Sequence, residues 1–294
     1  MKTMKIIALA LTAGLMAACS NQERSDAYGT FEAVEVMVSA ESNGRLISLG
    51  ISEGEVIEKG EKVGIIDTTD LHLRALQIEK QQIALDARLA SVNSQVRVQE
   101  QQLQNIKIEK KRVKNLYEEG AATQKQLDDV TGQYDLLLAQ IESTKVGKQS
   151  IMAEKAALEI QQEQIRESIR KCYINNPVKG TVLDKYAEEG EVTAYGKPLY
   201  KIADLEMIRL RVYVSGAQLP EVKLGREVEV LIDKGKDDYS KLTGKVSWIS
   251  PEAEFTPKII QTKEERVNLV YAVKILVKND GRLKIGMPGE VNFE

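Results

Sequence analysis

A stripe of apolar residues, written twice and in mirror order, decides what the centre of this chain can become. From Leu71 it steps by four and three through Ala75, Ile78, Leu85, Leu89, Val92, Val96, Leu103 and Ile106 to Val113, with Gln82, Gln99 and Lys110 in the same phase, so ten of thirteen positions are apolar. The rhythm resumes at Leu127 and runs through Val130, Tyr134, Leu137, Ile141, Ile151, Leu158 and Ile165 to Ile169, with Thr144, Lys148, Lys155 and Gln162 in phase and nine of thirteen apolar. A repeat near 3.5 residues, sustained for about six heptads, specifies a coiled coil. Each number in the first series sums to 240 with one in the second, so reversal at Gly120 lays the two seams face to face. Every polar seam residue then meets an apolar one: Gln82 opposite Leu158, Gln99 opposite Ile141, Lys110 opposite Val130, Lys155 opposite Leu85. The pattern predicts one antiparallel hairpin with arms of about 65 to 70 Å. Gly120-Ala121-Ala122 forms its turn, and Thr123 with Gln126 reads as a capping box for the second helix. Such a hairpin offers a tip and two faces rather than a pocket.

The flanks of the hairpin repeat one another. Gly44 to Asp67 aligns without gaps on Gly180 to Ala203 at an offset of 136, with identities at Gly44/Gly180, Glu53/Glu189, Gly54/Gly190, Glu55/Glu191, Val56/Val192, Gly60/Gly196 and Ile66/Ile202. Each copy reads as short strands between glycine turns and is too small to bury a core alone. The two must pack together, with the hairpin inserted at Asp67-Thr68-Thr69-Asp70. Paired halves of this type resemble the lipoyl/biotinyl carrier domain. The carrier lysine belongs at that same joint, and no such lysine motif is present, so no cofactor is expected.

After Leu205 the helical period gives way to alternation at Ile208–Val214, Glu227–Ile232, Gly244–Ile249 and Leu269–Ile275, and a turn at Gly286 feeds a last strand ending at Phe293. These strands predict a small closed barrel, completed by the strand around Phe31 to Val38.

Met1 to Cys19 has a short basic start (Lys2, Lys5), an apolar run from Ile6 to Ala18, and then a cysteine. Thirteen apolar residues, at about 1.5 Å each, fall short of the roughly 30 Å hydrocarbon core, so this is an export signal and not a spanning helix. Leu15-Met16-Ala17-Ala18-Cys19 resembles a bacterial lipobox, with Met16 where Leu is more usual, and a plain signal peptide is the alternative. A lipidated Cys19 would anchor the chain to a membrane without crossing it. Cys172 then has no disulfide partner and reads as a buried thiol.

Composition removes several functions. Loss of Lys2 and Lys5 with the signal takes the net charge from −3 to −5, and the one basic cluster, Lys110-Lys111-Arg112-Val113-Lys114, lies on a helix face, so no nucleic acid is expected as a partner. One histidine, His72, and two cysteines leave no set of metal ligands and no Ser-His-Asp triad. Acidic residues in the C-terminal third do not converge, so no catalytic residue and no enzyme activity are expected.

The order lipobox, strand, half-carrier, long hairpin, half-carrier, barrel resembles the periplasmic adaptors, or membrane fusion proteins, of the HlyD family. Arg112-x3-Leu116-x6-Thr123 is similar to that family's tip signature, in which Ser is usual at the Thr123 position. The resemblance implies docking of Arg112, Leu116 and Thr123 on a TolC-like outer-membrane channel. Phe255-Thr256-Pro257-Lys258, Gln261–Arg266 and Leu269-Val270-Tyr271 are similar to adaptors of ABC-type exporters, including the YbhG-like group, which end after the barrel. An inner-membrane ABC transporter is the favoured partner and an RND pump the alternative. A structural tether without transport is a further one. The family also implies self-association as hexamers and a periplasmic location, anchored by lipid to the inner membrane.

The expected fold is mixed α and β and elongated: an antiparallel coiled-coil hairpin inserted into a split lipoyl-like β domain, followed by a β-barrel. In residues this is a lipoprotein signal at 1–18, an N-terminal strand joining the barrel at 28–38, lipoyl-like half 1 at 39–68, the hairpin at 69–171, half 2 at 172–204, and the barrel at 205–294.

Overall fold

The structure is a computed structural model that describes residues 25–235, 239–255 and 269–293. Cys19 and most of the Phe255–Arg266 stretch lie outside them.

Two helices form the hairpin: α1, Thr69–Glu118, and α2, Gln124–Cys172. At 50 and 49 residues and about 1.5 Å per residue, each is about 75 Å long. The predicted seam is the buried stripe, since every seam residue named above is buried or half-buried. Ile78 and Leu85 on α1, and Val130, Leu137, Ile141 and Ile151 on α2, are its most enclosed members. The cross-pairing differs in detail. Gln82 donates to Gln162 at 3.3 Å, one seam step beyond Leu158, and the Lys110 ammonium stands 4.5 Å from the Tyr134 ring centre, one step beyond Val130. Lys155 pairs with Asp86 at 2.5 Å, beside the expected Leu85. The symmetry point thus lies just after Gly120. Long polar side chains reach along the seam to a polar or aromatic partner and leave the apolar positions to pack.

Below the hairpin, strands β2 (Glu35–Ser39), β3 (Gly44–Leu49), β4 (Val56–Ile57) and β5 (Lys62–Ile66) form one half of the lipoyl-like domain. Strands β6 (Tyr173–Asn175), β7 (Gly180–Lys185), β8 (Val192–Thr193) and β9 (Pro198–Ala203) form the other. The halves exchange strands: one sheet runs β2-β9-β7-β4 and the other β6-β5-β3-β8. The 136-residue offset persists in the hydrogen bonds, for Gly54 N donates to the Val182 carbonyl as Gly190 N does to that of Leu46, both at 2.8 Å. Because β5 pairs with β6, with Ile65 opposite Tyr173, the two feet of the hairpin leave from adjacent strands. Thr69 N and Oγ1 donate to the Asp67 carboxylate at 2.9 and 2.7 Å, and these bonds hold the Asp67 pKa below its usual value at the start of α1.

The symmetry is broken in the core by a polar pair. Tyr200 OH donates to Asn176 Oδ1 at 3.1 Å, and Asn176 Nδ2 donates to the carbonyls of Glu58 and Val178. The position 136 before Tyr200 is Gly64, so the other half carries no counterpart of the ring.

The barrel contains β1 (Ala27–Glu32), β10 (Met207–Ser215), β11 (Glu227–Asp233), β12 (Tyr239–Ile249), β14 (Leu269–Lys278) and β15 (Pro288–Asn292), closed in the order β10-β1-β15-β11-β12-β14 by pairing of β10 with β14. A short β13, Glu254–Phe255, adds to the rim beside β14. Gly29 permits closure, since a Cβ there would lie 1.8 Å from the Arg211 carbonyl oxygen. The expectation of one barrel strand over 28–38 needs correction. The chain leaves the barrel after Glu32 and re-forms as β2 on β9, so Phe31 belongs to the barrel core and Val38 to the lipoyl-like core. No Gly or Pro marks the break at Ala33-Val34, and both strands alternate.

Tyr200→Phe removes a donor from buried Asn176 and is expected to destabilise the domain by about 1 to 3 kcal/mol, read by denaturant unfolding. Burial pushes the Tyr200 pKa up to about 12 from 10.0. Between those values the unfolded chain releases a proton that the folded chain keeps, so stability falls as pH rises. Tyr200→Phe should flatten that part of the stability–pH curve, and an unchanged slope would contradict the assignment.

Candidate functional site

The hairpin tip is assembled by two kinds of helix ending. At the end of α1, Gly120 has φ of +76°, Gly120 N donates to the Tyr117 carbonyl at 3.0 Å, and Ala121 N donates to that of Leu116 at 2.7 Å. This is the Schellman arrangement, which needs a left-handed residue where Gly120 stands. At the start of α2, Gln126 N donates to Thr123 Oγ1 at 3.3 Å, while Thr123 N donates to Gln126 Oε1 at 2.8 Å. The capping box read from the sequence is present.

Between these ends the helices enclose an open groove of about 570 Å³, a feature the sequence reading did not foresee. Val113 and Val130 belong to its lining, along with Leu116, Ala121 and Ala122, while Arg112, Glu109, Gln126, Asp129 and Gln133 supply polar groups. The small side chains of Ala121 and Ala122 leave the space that larger turn residues would fill. Leu116 is 39% exposed, with Tyr117 equally so beside it. Arg112 forms an ion pair with Glu109 one turn earlier, which orients the guanidinium and leaves donors of its five-donor fork for a ligand.

Of the three residues implied in docking, Arg112 and Leu116 meet in this groove. Thr123 does not line it: its hydroxyl is engaged by Gln126, and Gln126 in turn joins the groove wall. Thr123 therefore acts on the groove by fixing the first turn of α2. A mixed hollow, with Val113, Leu116, Val130 and two alanines beside a guanidinium, two carboxylates and two amides, suits a protein loop that offers one apolar side chain flanked by polar atoms. At the other end of the hairpin, Cys172 is fully buried, its Sγ 3.3 Å from Ser42 Oγ and 3.4 Å from the Ser168 carbonyl oxygen, as expected for an enclosed thiol. No described helix is long and apolar enough to cross a membrane.

The same architecture recurs in solved proteins. MacA from Actinobacillus actinomycetemcomitans matches with a TM-score of 0.56 at 20% identity, over 90% of this chain and 76% of that one. The membrane fusion protein Spr0693 from Streptococcus pneumoniae R6 matches at 0.55 and 16%, over 90% and 96%. This is the fold of a membrane fusion protein. A UPF0194 membrane protein of Yersinia enterocolitica serotype O:8 is 27% identical over 328 aligned positions, covering all of this chain and 99% of its own. A second UPF0194 membrane protein, from Citrobacter koseri, is 28% identical over 291 positions, 90% of this chain and 87% of its own. No family model matches. The resemblance to HlyD-family adaptors is borne out in both relatives and fold.

Thr123→Ala should lose about 1 kcal/mol of cap energy and fray the first turn of α2, seen as faster amide exchange at residues 124–128. Thr123→Ser should restore protection, and equal exchange in all three forms would contradict a capping role.

Proposed function

We propose that this chain is a non-enzymatic adaptor that bridges an inner-membrane exporter and a TolC-like outer-membrane channel, for efflux or secretion. The observation that carries the reading is the pair of continuous helices, each about 75 Å long at about 1.5 Å per residue, with a grooved tip at one end and compact β modules at the other. A molecule so shaped presents a concave, chemically mixed surface far from its base. The membrane-fusion-protein fold and relatives named as membrane proteins support the same reading.

Leu116 and the Val113–Val130 hollow take up an apolar side chain of the channel, and Arg112 donates to a carboxylate or carbonyl beside it. The barrel faces the exporter, an ABC transporter in preference to an RND pump on the resemblance at Phe255–Tyr271. Cys19 carries the lipid that holds the chain at the inner membrane from the periplasmic side. Side-by-side packing of hairpins into a hexameric tube would enclose the conduit.

Leu116→Glu should abolish channel docking and export while the melting temperature stays within a few degrees, because a residue at an open tip carries little core burial. Co-purification with the channel and thermal unfolding check the two halves of that expectation. Loss of stability comparable to a core deletion would show Leu116 to be structural instead. Deletion of the gene should cause substrate retention, whereas a tether without transport would leave export unchanged. Intact mass of the mature protein should show a lipidated Cys19 and no lipoyl or biotinyl group.

A further inference from the structure

We propose that the turn Lys223-Leu224-Gly225-Arg226 is a lipid-contact wedge that seats the barrel on an anionic phospholipid bilayer. The turn lies between β10 and β11, at the barrel end remote from the hairpin. Leu224 is 69% exposed, although Val222, two residues earlier, is buried in the barrel core. Leu224 cannot fold back over that core, for Gly225 N donates to the Val246 carbonyl at 2.8 Å and Val246 N to that of Arg226 at 2.9 Å, fixing the turn on its far side. Lys223 and Arg226 flank it, both exposed, and the Lys245 side chain lies against Gly225. The Arg226 guanidinium is steadied by the Glu221 carbonyl at 3.1 Å. One outward leucine beside three cations, with Glu221 and Glu227 exposed at the ends of the turn and Glu227 opposite Lys245, matches an interface where apolar groups enter the acyl region and cations meet phosphates.

The occupant follows from where the chain enters the barrel. Gln218, in the same loop, donates to the Asp26 carbonyl at 2.7 Å, and Asp26 Oδ2 accepts from Phe293 N at 2.8 Å, so the segment leading into β1 is fastened at this end. Cys19 precedes Ser25 by six residues, a span of at most about 20 Å when fully extended. A lipid on Cys19 therefore keeps this turn at the bilayer surface, where a weak second contact gains from high effective concentration. The inference rests on the lipid-anchor reading of Cys19 given under the proposed function.

The chain has a single tryptophan, Trp248, so Trp248→Phe with Leu224→Trp places one fluorophore on the wedge. In the full mature lipoprotein, reconstituted in vesicles of phosphatidylethanolamine and phosphatidylglycerol, its emission should shift to the blue and be quenched at least about twofold by brominated acyl chains. Absence of both effects in protein whose mass shows the lipid overturns the wedge. So does a blue shift that appears only in native membranes and not in pure lipid, which would assign Leu224 to a protein partner. As a second measurement, an unlipidated chain starting at Ser20 should float with the same vesicles in lipid excess, and adding Leu224→Asp should lower the floated fraction at least about fivefold. Equal flotation contradicts the proposal. Leu224-dependent flotation of a wild-type chain whose mass shows no lipid on Cys19 removes the anchor and leaves the wedge standing.

Discussion

The extended shape of this protein depends on one thin hydrophobic seam. Most of each helix surface is polar or charged, and helical stability in a protein comes mainly from packing of one face rather than from propensity. Packing along a single stripe supplies that stability, with six well-enclosed residues between Ile78 and Ile151 and half-buried neighbours between them. Because the stripe is narrow, its ends need fastening. The Gly120 ending and the Thr123–Gln126 cap close the tip, and the Asp67 carboxylate accepts from Thr69 N at the foot of α1.

The lipoyl-like domain turns that seam into a directed arm. Strand exchange between the halves sets β5 beside β6, so both helices start from neighbouring strands and are already side by side before the seam begins. The joint that in a carrier domain would be a tight modified turn is here opened into the hairpin. The second connection, through Ala33-Val34 and Asp204–Glu206, passes to a barrel closed by β1 against β10 and β15. Tip, arm and base thus follow in order from local pairing rules.

Much of this was legible in the sequence because periodicity survives folding. Seam phase was readable since a heptad displaced by one residue would bury the Gln, Glu and Lys of the outer faces. The split repeat was readable since Gly54, Gly60, Gly190 and Gly196 all adopt the same left-handed turn conformation. Other features left no such mark. Exact cross-pairing at Gln82 and Lys110 was not, because side-chain reach adds one seam step that residue numbers do not encode. The break at Ala33-Val34 carries no turn residue, and the tip groove arises from the smallness of Ala121 and Ala122, which a helical pattern treats as ordinary helix formers. Arg112 and Leu116 could be named from their spacing; that Thr123 acts through Gln126 required the geometry.

Residues equally distant from a point just after Gly120 lie side by side along two antiparallel rods. The direct measurement is oxidative crosslinking of full-length chains with Glu100→Cys and Lys145→Cys, whose native side chains form an ion pair across the helices at 3.6 Å. Rapid intramolecular disulfide formation is expected for that pair and none when the second cysteine replaces Leu138 or Met152, one heptad away on either side. Crosslinking through either displaced position in place of Lys145, or through none of the three, would contradict that arrangement.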